Sequence, residues 1–349
     1  MKRAAKFLFK IMKSNICKLR VPYRCTFICT YKCNLNCQMC NIWKRKDHND
    51  LSLHEIDDIF SKAPFFSWIN ISGGEIFLRD DIVQMIEIID KRSKDLYILD
   101  FPTNGFCSEK IEEDVTAILQ KTKVPNVFIT ISLDGPEDLH DSIRGKSGSW
   151  QKALDTYARL KHINNKKLKV FFGTTLNKDN ISKLEIMKND VRGKLGIGIP
   201  DNVFHFNLPH ISEHYYGNSD MDLSGLEDMI KILKEQRHKE KKNWLSPVQF
   251  LERQYAKVAN KVLINKEQPF SCQAANASVF IDPQGAVYPC TNFPVVMGQL
   301  RQSKYDLVEI LNSSQKKDIR CDIEKNKCPI CWSPCEAYQS ILGQIWKVF

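Results

Sequence analysis

Strand-like and helix-like segments alternate over residues 24–242 of this chain. Six short runs rich in β-branched and aromatic residues occupy 24–30, 67–72, 96–103, 126–134, 169–176 and 203–209. Segments with helical spacing of apolar residues follow them at 51–63, 80–93, 108–122, 149–163, 179–190 and 222–242. Repeated strand–helix units predict an α/β fold on a parallel sheet with right-handed crossovers. The pattern does not distinguish an open doubly wound sheet from a partial barrel.

The length of 349 residues favours one large core with a smaller annex. We predict a basic segment at 1–22 and the strand–helix region at 23–220. A helical bridge is predicted at 221–265, followed by a cysteine-rich, loop-rich domain at 266–349.

Thirteen cysteines indicate either the disulfides of a secreted protein or the metal ligands of a cytosolic one. The first twenty residues carry seven Lys/Arg and no acidic residue, and lysines interrupt their apolar runs too often for a secretory signal or a membrane span. We therefore predict a cytoplasmic protein whose clustered cysteines bind metal as thiolates.

The N-terminal segment has the pattern of a basic amphipathic helix. Its apolar side chains Phe7, Leu8, Ile11, Met12 and Leu19 fall roughly opposite Lys2, Lys6, Lys10 and Lys13. Such a helix is typical of contact with anionic lipid, here through residues 1–20 at the inner face of the membrane. The alternative is a helix packed on its own domain. We expect no nucleic-acid partner, because no recognised binding motif accompanies the charge.

The stretch CNLNCQMC places Cys33, Cys37 and Cys40 directly after the first predicted strand. A structural zinc site would require four protein ligands. Three thiolates instead suit a cubane [4Fe–4S] cluster in which one iron is left without a protein ligand and can coordinate a small molecule.

These residues and three later motifs resemble the radical S-adenosylmethionine (SAM) superfamily. The cysteines match its CxxxCxxC signature, and the sequences ISGGE, TNG and ISLDG follow in order at the ends of later predicted strands. The resemblance implies a partial (β/α)6 barrel, a SAM-binding [4Fe–4S] cluster and SAM itself. It also implies a low-potential electron donor, such as flavodoxin or ferredoxin.

The resemblance further implies which residues contact SAM. Gly73 and Gly74 would let the backbone approach the methionine part of SAM, and Glu75 would pair with its amino group. Asn104, in the TNG motif, belongs to the same implied set. Candidates for the ribose and carboxylate contacts are Ser132, Asp134 and Arg144.

The C-terminal cysteines predict at least one further cluster. Cys272 and Cys290 surround Gly285 as C-x12-G-x4-C, and Cys328, Cys331 and Cys335 follow as C-x2-C-x3-C. A zinc knuckle is the alternative taken from spacing alone. The pattern resembles the SPASM/twitch extension of radical SAM enzymes, which implies an auxiliary [4Fe–4S] cluster. We expect Cys272, Cys290 and two of the last three cysteines to hold it.

The implied activity is reductive cleavage of SAM to a 5′-deoxyadenosyl radical, which abstracts hydrogen from an unactivated carbon. A peptide or protein is the first expected substrate. The alternatives are the same chemistry on a membrane lipid or other small molecule, and a non-catalytic Fe–S or zinc binding module.

Other candidate residues carry weaker predictions. His205 and Asn207, on one face of the sixth strand, are expected either to reach a substrate cavity or to be hydrogen-bonded polar residues of the core. His210 and His214 are expected in solvent. Four further cysteines are predicted to be buried and inert, namely Cys17, Cys25, Cys29 and Cys107.

Overall fold

A computed structural model describes residues 2–46, 49–196, 198–239 and 246–348. Within these ranges, nine strands form one sheet in the order β6-β5-β4-β3-β2-β1-β7-β8-β9. The strands are β1 (Arg24–Thr30), β2 (Trp68–Gly73), β3 (Ile98–Thr103), β4 (Asn126–Ser132), β5 (Leu168–Thr175), β6 (Phe204–Asn207), β7 (Ser278–Ile281), β8 (Ala286–Tyr288) and β9 (Gly298–Gln299).

Strands β1 to β6 pair with their neighbours in parallel and in chain order. Their carboxyl ends therefore lie at one edge of the sheet, where the predicted SAM motifs follow the strands. This arrangement confirms the predicted α/β fold on a parallel sheet.

The described ranges contain twelve α-helices. They are α1 (Lys2–Ile16), α2 (Leu53–Lys62), α3 (Ile82–Arg92), α4 (Ser108–Lys121), α5 (Glu137–Arg144), α6 (Ser149–His162), α7 (Leu184–Leu195), α8 (Leu226–Lys239), α9 (Pro247–Leu263), α10 (Leu307–Asn312), α11 (Ser314–Glu324) and α12 (Pro334–Leu342). Local sequence explains several ends. Ser52 caps α2 in a capping box with Glu55, which satisfies backbone donors at both residues.

The helix predicted at 179–190 begins later, at Leu184. The buried Asn180 accepts a hydrogen bond from the Asn177 backbone at 2.9 Å and donates one to the Thr175 carbonyl at 2.9 Å, so these residues form a turn. The predicted helix at 222–242 is α8, and its last three residues lie outside the described part of the chain. Helix α5 was not predicted.

The cysteine-rich region continues the sheet of the barrel. Strand β7 pairs in parallel with β1, and β8 and β9 add to it in antiparallel fashion. One hydrophobic core includes side chains of both regions, for example Ile71 and Ile281. The predicted boundaries of the four regions stay a prediction, and residue 349 of the last lies outside the described residues.

Helix α1 packs on the protein through only part of the predicted apolar face. Phe7 and Ile11 are buried, and Phe7 contacts Tyr23, Trp68 and Tyr97 with ring centroids 5.7 to 6.4 Å apart. The apolar side chain of Leu8 points into solvent instead. No helix in the described ranges is both long and apolar enough to cross a membrane.

Candidate active site

A cavity of about 390 Å³ opens inside the curved sheet, and the inward face of the strands lines it. Alternate residues of each strand point to opposite faces. On β2, Asn70 and Ser72 line the cavity, while Ile69 and Ile71 are fully buried beneath the helices. The same alternation puts polar side chains of the other strands into the cavity: Thr26, Asp100, Thr130, Ser132, Thr175, His205 and Asn207.

The three predicted cluster cysteines lie together at the carboxyl end of β1. Cys33, Cys37 and Cys40 all line the cavity. Burial raises the pKa of the Cys33 thiol to about 11 and that of Cys40 to about 12, and the neighbouring cysteines add to both shifts. The loop is fixed to the end of α5, because the Asn36 amide donates to the Arg144 carbonyl at 3.2 Å.

Arg144 and Asp134 form a buried ion pair beside this loop. The Arg144 Nη2 to Asp134 Oδ2 distance is 2.5 Å, and Arg144 Nη1 lies 3.7 Å from Cys37 Sγ. Burial opposes the charge of Arg144, but Asp134 and Cys37 outweigh it and raise its pKa. Arg144 lines the cavity, whereas Asp134 lies behind it and holds the guanidinium in place. Their predicted contacts with SAM stay a prediction.

Gly73 and Gly74 line the cavity, and the chain itself requires them to be glycine. A Cβ on Gly73 would lie 2.4 Å from the Thr30 carbonyl oxygen, and one on Gly74 would lie 2.3 Å from that of Lys32. Real Cβ atoms do not approach so closely, so the second strand can pack on the cysteine loop only without side chains here. The sequence motif predicted these glycines only as positions where SAM approaches the backbone closely.

Glu75 is not part of the cavity wall in this structure. Its carboxylate is 1% exposed and accepts hydrogen bonds from Thr103 Oγ1 at 2.9 Å, the Asn104 amide at 2.7 Å and the Phe77 amide at 3.3 Å. Burial raises its pKa despite these donors. Glu75 thus ties the GGE and TNG segments together. Its predicted contact with the SAM amino group stays a prediction.

Asn104 and Ser132 both line the cavity, and their predicted contacts with SAM stay a prediction. The Asn104 side chain donates to Asn34 Oδ1 at 2.8 Å, which links the TNG segment to the cysteine loop. Cys107 was predicted to be buried. It is half-buried, and its Sγ accepts a hydrogen bond from Asn34 Nδ2 at 3.5 Å.

The other predicted bystander cysteines divide into two groups. Cys25 and Cys29 are buried in the core, as expected for inert thiols. Cys17 is exposed instead, because it follows the last turn of α1 at the surface.

The structure places the polar pair of the sixth strand in the cavity, and the prediction for the two histidines of the following loop is wrong. His205 and Asn207 line the cavity; His205 stacks on Phe171, and burial lowers its pKa to about 3. His210 and His214 were expected in solvent, but they are half-buried. His214 stacks on Tyr288 with ring centroids 4.3 Å apart.

Sequence reasoning missed the loop after β6 as part of the site. Tyr215 shares a hydrogen bond of 2.8 Å with Ser72 and donates to the Gly73 carbonyl at 3.1 Å. Asn218 donates to the Met39 carbonyl at 3.2 Å. The only sequence signal was the cluster of aromatic and polar residues in this loop. Arg24, at the start of β1, was also missed, and it lines the cavity while 3% exposed.

Four C-terminal cysteines lie near enough for their thiols to influence one another's ionisation. Burial raises the pKa of Cys272 to about 12 and raises that of Cys290 and Cys331, and each of these thiols is influenced by others of the group, which includes Cys328. Cys335 lies elsewhere. It lines the barrel cavity and interacts with the Arg24 guanidinium.

The residues present fit the groups that the sequence implies. The first triplet supplies three thiol ligands at one end of the cavity, and the buried Arg144 Nε, which has no hydrogen-bond partner, is a donor suited to a carboxylate. No three His, Cys, Asp or Glu side chains in the described ranges converge on a single-ion site. A cubane does not require this, because each thiolate binds a different iron.

Comparison with known families identifies both regions. The radical SAM superfamily profile matches residues 27–191, and the profile of SPASM, an iron-sulfur cluster-binding domain, matches 272–336. This chain is a radical SAM protein with a SPASM domain. The radical SAM domain implies a [4Fe–4S] cluster and SAM, and the SPASM domain implies auxiliary Fe–S clusters. Members of this superfamily catalyse radical reactions.

Two proteins of Bacillus subtilis (strain 168) are similar in sequence. The antilisterial bacteriocin subtilosin biosynthesis protein AlbA is 24% identical over 74% of this chain. The sporulation killing factor maturation protein SkfB is 22% identical over 88% of this chain. The matches span 54% of AlbA and 69% of SkfB, so the chain spans about half the length of AlbA.

A solved structure shows the same fold. Streptococcus suis SuiB, crystallised with its precursor peptide SuiA, aligns with a TM-score of 0.59 at 16% identity. The alignment covers 91% of this chain and 71% of SuiB.

Proposed function

We propose that this radical SAM protein abstracts hydrogen from an unactivated carbon of a peptide or protein substrate. When bound, the cluster and SAM supply the 5′-deoxyadenosyl radical that performs the abstraction. The chain contributes the ligand triplet Cys33, Cys37 and Cys40, the Arg144 donor beside it and the cavity in which a substrate would lie.

Polar side chains set among the apolar residues of the cavity lining are the observation that favours a peptide over a lipid. Asn70, Thr130 and Asn207 line the cavity from three different strands. An acyl chain would leave these groups unsatisfied, which costs about 1–3 kcal/mol for each buried polar group. The amides of a peptide can pair with them.

The similar proteins support the same substrate class. SuiB was crystallised with a precursor peptide, AlbA takes part in the biosynthesis of a bacteriocin, and SkfB in the maturation of a killing factor.

For this chain we propose that one auxiliary cluster is held by Cys272, Cys290, Cys328 and Cys331, since these thiols form one group.

The proposal is tested with anaerobically reconstituted protein. We expect 5′-deoxyadenosine from SAM and a low-potential reductant, and its loss in Cys37→Ala. Cys107→Ala is the matched control, because this thiol lies near the loop but is not a proposed ligand. Production of 5′-deoxyadenosine by Cys37→Ala would refute the assigned triplet.

The substrate class is tested by mass spectrometry of peptide and lipid extracts from cells with and without the gene. We expect a mass change in a peptide that depends on the gene. A change confined to the lipid extract would overturn the peptide proposal.

A further inference from the structure

Helix α1 has two apolar surfaces, and only one packs on the barrel. Phe7 and Ile11 are buried. On the opposite side, the exposed fractions are 59% for Leu8, 64% for Phe9, 64% for Met12 and 85% for Ile16. At roughly 100° per residue, these four side chains fall within an arc of about 100° on the helix. Single exposed apolar residues are ordinary, but a contiguous row of them is not.

The C-terminal tail extends this exposed row. The Ile345 amide donates to Asn15 Oδ1 at 2.9 Å, and Asn15 Nδ2 donates to the Leu342 carbonyl at 2.6 Å, so the tail is fixed to α1. Ile345 and Trp346 are 37% and 54% exposed, and Ile16 and Trp346 line one cleft. The outer apolar patch, as we name it, consists of Leu8, Phe9, Met12, Ile16, Ile345 and Trp346.

Positive charge surrounds the outer apolar patch. Residues 1–46 contain no Asp or Glu. Lys6 and Lys10 form ion pairs with Asp95, which fix the helix to the barrel. Lys2 and Lys13 are exposed at the edge of the arc, and Lys347 is exposed beside Trp346. A partner that covers the patch therefore meets several lysines.

We propose that the outer apolar patch docks this protein on an anionic bilayer surface. A lysine-rich helix whose apolar side carries Phe and Leu is the profile of a helix that lies in the lipid interface. Tryptophan suits the headgroup level, and anionic headgroups complement the lysines. A second copy of the chain fits less well, because a two-fold contact would bring the same lysines together.

The patch lies at the opposite end of the barrel from the cluster cysteines. Phe7 contacts Trp68, which begins β2, and Tyr97, which precedes β3. Cys33 follows the carboxyl end of β1, and the strands are parallel. Docking therefore turns the cluster end away from the bilayer. Docking through the outer apolar patch does not depend on which substrate enters the cavity.

Sedimentation of the full-length, reconstituted protein with vesicles tests the proposal. We expect binding to vesicles of phosphatidylglycerol and phosphatidylcholine, and little binding to phosphatidylcholine alone. The double variant Phe9→Glu/Met12→Glu should bind the anionic vesicles at least about tenfold more weakly. The matched control is Ile186→Glu, which changes a side chain that is 48% exposed on α7, and it should bind like the wild type.

Iron content and the urea midpoint show whether the double variant is folded. Lys13→Glu provides a second variant on the charged edge, and it should weaken binding to anionic vesicles without disturbing any buried contact. Three results would overturn the proposal. The first is that the wild type shows no preference for anionic vesicles. The second is that Phe9→Glu/Met12→Glu and Lys13→Glu both bind these vesicles as tightly as the wild type. The third is that light scattering shows a dimer for the wild type and a monomer for the double variant. None of these readouts requires SAM turnover, so they are separate from the test of the proposed function.

Discussion

Replacing Gly74 with alanine is expected to destabilise the segment that holds the cysteine triplet. The added Cβ would lie 2.3 Å from the Lys32 carbonyl oxygen, 2.8 Å from its carbon and 2.9 Å from Cys33 Cβ. Ordinary contacts are about 3.5–4.0 Å, so two backbone atoms would have to move. Overpacking of this kind costs about 1–3 kcal/mol. The displaced carbonyl also accepts the Glu75 amide at 2.8 Å, and losing that hydrogen bond adds about 1 kcal/mol.

The expected loss of unfolding free energy, about 2–4 kcal/mol, is measurable by urea denaturation followed by circular dichroism. Iron content after reconstitution should fall as well, because Cys33 is displaced. Gly193→Ala is the matched control: this glycine lies within α7 with open space around its Cβ position, so alanine should stabilise the chain by about 0.5–1 kcal/mol. If Gly74→Ala unfolds within about 0.5 kcal/mol of the wild type and binds full iron, the close-packing argument is wrong.

Two further predictions concern Cys335 and His140. Because Cys335 lies in the barrel cavity, Cys335→Ser should keep the auxiliary cluster, whereas Cys331→Ser should lose about four irons per chain; equal iron loss in both variants would contradict the proposed ligand set. Burial lowers the pKa of His140 to about 4, and its Nδ1 accepts a hydrogen bond from the Asp134 amide at 3.0 Å. Between about pH 6.5 and 4, His140 is therefore protonated in the unfolded chain but neutral in the folded chain. The wild type should therefore lose stability as pH falls through this range. His140→Asn, which keeps a hydrogen-bond acceptor but does not titrate, should lose less. If the urea midpoints of the two proteins fall equally with pH, His140 does not cause the pH dependence.

The sequence alone determined the strand–helix order and the cysteine loop. Strand β1 spans Arg24–Thr30, the range that the β-branched run predicted, and Cys33, Cys37 and Cys40 follow it into the cavity. Both features depend on spacing between near neighbours in the chain, and local spacing is sufficient to specify a strand or a triplet of ligands. The motif glycines were found in the same way, although the structure assigns them a packing reason.

Only the tertiary structure decided which motif residues face the cavity. Glu75 and Asp134 come from motifs, yet contacts with Thr103 and Asn104, and with Arg144, place them behind the wall. These partners are 10 to 29 residues away in the chain, and no periodicity encodes such a distance.

Contacts between residues far apart in the chain also explain the positions of Cys335 and of the apolar side chains of α1. Cys335 follows Cys331 closely in sequence but faces Arg24 in the barrel, because Pro334 begins α12 between the two sites. The apolar side of α1 divides because the barrel offers a surface for Phe7 and Ile11 and none for Leu8. Hydrophobic periodicity shows which residues share a face of a helix, but burial depends on which surface the rest of the fold brings against that face.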